Sequence, residues 1–155
     1  MKIILLKLFI ICFFSFSSFA EDYGYISEEI AIKNAVIRIA KNSANNSAAY
    51  FEINNFKNTD IKILQASSYI CSKIEIHKSE TKDNVTKMIK ISNGLIIPKN
   101  SKVKFETGSY HLMLIKMKSS FTKDHSVPIE LTFENMDPIL VNFKIVDTQN
   151  MNHNH

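Results

Sequence analysis

The chain has 155 residues, with 19 Lys or Arg against 15 Asp or Glu and a formal charge of +4. Lys2 and Lys7 fall in an apolar leader; without them the balance is 17 to 15, spread along the chain. Lysines such as Lys116 and Lys118 are not interleaved with aromatic residues, so a nucleic-acid footprint is excluded.

The first segment, MKIILLKLFIICFFSFSSFA, has two lysines at its start, an apolar run from Leu8 to Phe16 and the small–x–small close Ser18-Phe19-Ala20. This is the pattern of a secretory signal peptide over residues 1–20, and it predicts an exported protein. The run is short for a membrane span, which needs about 20 apolar residues. Cys12 sits inside it rather than after the cleavage point, which speaks against lipid attachment there. About 135 residues remain, enough for one domain with a real core. They keep one cysteine, Cys71, so no internal disulfide forms. A lone cysteine of this kind is expected as a small buried apolar residue.

Beyond the leader, 25–33 and 34–40 are β-branched runs, and 42–49 (NSANNSAA) is a polar loop. AYFEINNF (49–56) reads as a strand closed by NNFKNTD, followed by strands at 62–68 and 71–79. In CSKIEIHKS, Ile74 and Ile76 share one face while Lys73, Glu75 and His77 share the other. In VTKMIKI (85–91), Val85, Lys87, Ile89 and Ile91 oppose Thr86, Met88 and Lys90. SNGLIIPKN reads as a connection, and KVKFETG (102–108) leads into GSYHLMLIKM. There, alternation places His111, Met113, Ile115 and Met117 on one side and Leu112 and Leu114 on the other. VPIELTFE (127–134) and ILVNFKIVD (139–147) complete the pattern, and the polar tail 148–155 is expected to be flexible. Short β-rich runs recur without a 3.6-residue apolar period, which predicts an all-β antiparallel sandwich or barrel. Glycine is scarce, so asparagine, which tolerates left-handed backbone, is expected at the turns.

The soft and borderline donors are His77, Met88, His111, Met113, Met117, His125, Met136, Met151, His153, His155 and Cys71. His77, Met88, His111 and Met113 lie away from the apolar stripes of three strands. Two imidazoles and two thioethers make an uncharged set that suits Cu(I). Zinc prefers thiolates, several imidazoles or a carboxylate, and calcium and magnesium need oxygen. Met117 is expected to pack in the core, His125 to be solvated, and Met136 to sit in a turn without a role. Met151, His153 and His155 alternate in the tail and are a candidate for weak Cu(II) binding.

His77, ten residues, Met88, then His111-Leu112-Met113 resembles the ligand pattern of the periplasmic copper chaperone family PCu(A)C. SAAYFEINN, GSYHLMLIKMK and VPIELTFE resemble the family's strands, and the likeness spans residues 34–147. Two departures stand out. Twenty-two residues separate Met88 from His111, one more than is usual, and Ile115-Lys116 replaces the usual Met-Gly. The resemblance implies a cupredoxin-like Greek-key β-sandwich over 21–147, a periplasmic monomer that binds one Cu(I). Its implied ligands are His77, Met88, His111 and Met113. Its implied acceptor is a Sco-type thiol protein or the copper-centre subunit of cytochrome c oxidase.

Two rival readings are a blue-copper electron carrier and an exported interaction module without metal. The first needs two His and a Cys with a weak Met, yet Cys71 lies six residues before His77 and none lies beside His111. No Ser–His–Asp or paired-carboxylate constellation supports an enzyme.

Overall fold

A computed structural model describes residues 24–39, 45–118 and 125–147. The expected leader and the tail with Met151, His153 and His155 lie outside the described residues. Among the described residues every element is a strand: β1 (Tyr25–Ile26), β2 (Ile30–Ile39), β3 (Ser47–Asn55), β4 (Ile61–Ser67), β5 (Cys71–Lys82), β6 (Val85–Lys90), β7 (Leu95–Ile97), β8 (Ser101–Phe105), β9 (Tyr110–Met117), β10 (Ser126–Phe133) and β11 (Met136–Asp147).

Alternation explains most of these strands. β3 is buried at every second residue, from Ser47 to Asn55, and β10 follows the same rule at Val127, Ile129, Leu131 and Phe133. Hydrogen bonding runs through the order β6-β5-β9-β8-β3-β2-β11-β10-β4-β7, with β1 against β2 and a further pairing of β9 with β3. The buried faces meet in one core that holds Ile63, Ile76, Phe105, Leu112 and Phe143 from five strands. Phe51 stacks on Phe105 at 4.1 Å between ring centroids and meets Phe143 edge-on at 5.7 Å.

The expected all-antiparallel arrangement is broken twice, because β11 pairs parallel with β2 and β8 pairs parallel with β9. The connection at SNGLIIPKN contains a strand, β7, since Leu95 and Ile97 both bury against the core. The two runs before residue 40 merge into β2, with a register shift between Lys33 and Val36 where Asn34 takes φ 56°.

Asparagine does stand where glycine would be expected. Asn34, Asn45, Asn84, Asn100 and Asn135, with Asp83, have positive φ. Asp83 and Asn84, at φ 52° and 61°, form the two-residue turn between paired Lys82 and Val85. Left-handed backbone at both positions matches the twist of a tight hairpin. That turn fixes the register of β6 on β5, and with it the position of Met88.

Asn55 is a different case. It is 1% exposed, and its amide donates to the carbonyls of Thr59, Ile97 and Pro98 at 2.9–3.2 Å while its oxygen accepts from the Lys57 amide at 3.1 Å. It ties the β3–β4 turn to the end of β7. Asn55→Ala should cost about 2–3 kcal/mol, because buried polar groups lose their partners. A urea midpoint for the variant that matches wild type would contradict this.

Candidate metal centre

Three neighbouring strands build the site. β5 pairs with both β6 and β9, and His77 lies directly across from His111 on one side and Lys90 on the other. Residues directly opposite in a sheet point to the same face. Ile74 and Ile76 pair with Leu114 and Leu112 on the core face, so His77, His111 and Met113 share the outer face. Met88 pairs with Ser79, two residues from His77, and joins that face. Met88, His111 and Met113 line one cleft of about 600 Å³, together with Arg38, Tyr50 and Ser79. His77 meets His111 edge-on, with ring centroids 5.7 Å apart. The cleft has room because small residues floor it: Ala48 lies across from Met113, and Ser47 and Gly108 contribute to the wall.

Each imidazole presents a free nitrogen. His77 Nε2 lies 2.9 Å from a Glu75 carboxylate oxygen, which fixes the proton there. Its Nδ1 is buried without a hydrogen-bond partner. His111 Nδ1 donates to the Ser109 carbonyl at 3.4 Å, which makes Nε2 the lone-pair nitrogen. Burial pushes the His111 pKa below the usual imidazole range; the Ser109 carbonyl opposes this and nearby His77 adds to it. His111 is therefore neutral at neutral pH, the form that binds metal. A metal-binding imidazole held by a carboxylate through its other nitrogen is a common supporting arrangement. These donors fit a soft monovalent ion. Among the described residues, no three His, Cys, Asp or Glu side chains gather into a group that could hold a metal.

Glu75 anchors this face. It accepts from Lys73 at 2.6 Å and Lys90 at 2.7 Å as well as from His77, and these bonds pull its pKa down to about 2, the Lys73 bond most. The unfolded chain therefore binds the Glu75 proton more readily than the folded one. The stability Glu75 contributes is present above pH 4.5 and is lost as pH falls from there towards 2. The thermal midpoint of wild type should exceed that of Glu75→Gln at pH 6, with the gap closing by pH 2. A constant gap would show that its charge is not the cause.

The remaining donors are dispersed. Met117 leaves the face of Met113, contrary to strict alternation. Lys116 takes φ 54°, which turns the strand, and Met117 packs against the core opposite Cys71. Cys71 is 3% exposed and burial pushes its thiol pKa up. It lies about 20 Å along β5 from His77, so the blue-copper reading loses its thiolate. His125 is exposed, and Met136 begins β11 rather than sitting in the turn. β6 also differs from expectation: Val85 and Ile89 are exposed although their face was the apolar one. Sequence reasoning did not pick out Arg38, Tyr50 and Glu75, which border the candidate donors. Glu75 shares a face with His77, and Arg38 is the chain's one arginine; both were available signals.

The architecture is the cupredoxin-like β-sandwich of PCuAC domains. The structure resembles the copper-bound PCuAC domain from PmoF2, with a TM-score of 0.67 and 14% identity, covering 80% of this chain and 97% of that one. It also resembles the solution structure of CuI-DR1885 from Deinococcus radiodurans, with a TM-score of 0.59 and 19% identity, covering 74% and 76%. The family described as "Putative lipoprotein LpqE-like" matches residues 30–145, and the chain belongs to that LpqE-like family. The uncharacterized protein RP573 of Rickettsia prowazekii (strain Madrid E) is 31% identical over 102 residues, 66% of this chain. The chain spans 56% of the length of that relative.

Proposed function

We propose that this is an exported copper carrier, which holds one Cu(I) through His77, Met88, His111 and Met113 and releases it to an acceptor. The observation that carries the reading is the convergence of β6, β5 and β9. It brings two imidazoles and two thioethers to one outer face, with a buried His77 Nδ1 that lacks any partner. The copper-bound and Cu(I) forms of two proteins with this fold support it. The lipoprotein description of the family agrees with export to the periplasm.

Neutral thioethers bind softly and exchange readily, which suits delivery rather than storage. Met88 is 63% exposed, so the site opens to solvent on its β6 side. An acceptor's thiolates displace the thioethers one at a time, with copper remaining Cu(I) throughout. The acceptor is a Sco-type thiol protein, or the copper-centre subunit of cytochrome c oxidase, on the path to its binuclear centre.

Competition with a Cu(I)-specific chelator tests the proposal: the protein should retain one equivalent of Cu(I). Met88→Leu should release copper faster in the same assay. Its apo stability should stay within about 0.5 kcal/mol of wild type, since the residue is exposed. No Cu(I) retention by the wild-type protein would leave the interaction-module reading in its place.

A further inference from the structure

The chain has one arginine among its 19 cationic residues, and that arginine lines the copper-site cleft. Cross-strand pairing sets its place. Arg38 of β2 lies opposite Ala48 of β3, which lies opposite Met113 of β9. Arg38 and Met113 therefore share a face about 10 Å apart at the backbone, with only the methyl group of Ala48 between them. The guanidinium lies 4.7 Å from the centre of the Tyr50 ring, and its Nη1 donates to the Thr107 hydroxyl at 3.0 Å. Its Nε is buried and has no hydrogen-bond partner. Thr107 and Tyr50 hold the guanidinium at the cleft wall, where its planar fork suits a carboxylate, and lysine cannot replace that fork.

The cleft also exceeds the needs of a bare ion. Its volume of about 600 Å³ lies in the range of small-molecule sites, roughly 300–1,000 Å³. We propose that Arg38 makes this cleft a seat for a carboxylate carried by the thiol-bearing acceptor, positioning its sulfur at the copper. This rests on the reading of the adjacent His and Met side chains as copper ligands. With the carboxylate on Arg38, the thiolate sulfur forms a bond to Cu(I) as a thioether–copper bond breaks. The thiol proton goes to water, and no electron changes hands. Arg38 is a positioning residue in this scheme.

A copper-free arm and a copper-loaded arm test it. Because there is one arginine, its Nε–Hε NMR signal needs no assignment among others. In the apo protein, succinate should shift that signal saturably, while chloride at matched ionic strength should not. In the Cu(I)-loaded protein, copper removal by 3-mercaptopropionate is compared with removal by cysteamine, which carries an ammonium group instead. The rate ratio should favour the carboxylate, and Arg38→Gln should reduce that ratio about tenfold. An unmoved Nε–Hε signal, or the same ratio in wild type and variant, would overturn the proposal. If Cu(I) is not held at all, the copper reading fails, and the succinate arm still judges whether Arg38 binds a carboxylate.

Discussion

His111→Ala should weaken Cu(I) binding by at least about a hundredfold, because even supporting residues around a metal ligand are worth 10–100-fold. His111 is central to the site: it faces His77 across the β5–β9 pairing, precedes Met113 by two residues and lies against Tyr50. It is also 5% exposed, so alanine leaves a hole and lowers stability. Met113→Leu separates the two effects. It keeps a similar volume and removes only the sulfur, so affinity should fall while the apo thermal midpoint changes little. Both variants are titrated against a Cu(I) chelator of known affinity. Wild-type affinity in both would remove these side chains from the site.

Phe51→Ala should produce the largest loss of stability, about 3–5 kcal/mol. Phe51 is 2% exposed, stacked on Phe105 and edge-on to Phe143, so it joins β3, β8 and β11. Its removal takes away apolar burial and two ring contacts at once. For a domain of this size the loss corresponds to a fall in Tm of about 10–20 °C. Phe51 points into the core while the proposed ligands point outward, so well below the new Tm the variant should still bind Cu(I) within a few-fold of wild type. A fall in Tm of only a few degrees would show that the three rings do not tie the core together.

Much of this architecture was legible because a β-strand repeats every two residues. Ile74, Ile76, Leu112 and Leu114 mark the core face, and that alone puts His77, His111 and Met113 on the other. The asparagine turns were equally readable, since few other side chains accept left-handed backbone. Strand neighbours were not, because long-range pairing leaves no local trace. That β9 lies beside β5, which brings His111 to His77, is carried in the sequence only by the resemblance.

Local backbone departures were hidden as well. The positive φ at Lys116 sends Met117 into the core against strict alternation, and lysine gives no sign of such a turn. β6 alternates in sequence as though half-buried, yet it ends the sheet and Val85 and Ile89 stay exposed. Alternation reports two different faces but not whether anything covers them. Arg38 shows the same limit: its place beside Met113 depends on two cross-strand pairings.

Copper X-ray absorption on the full chain, reduced and loaded with one equivalent of Cu(I), tests the central claim most directly. It should show a shell of two imidazole nitrogens and two thioether sulfurs. A shell without sulfur, or with nitrogen and oxygen alone, would contradict it.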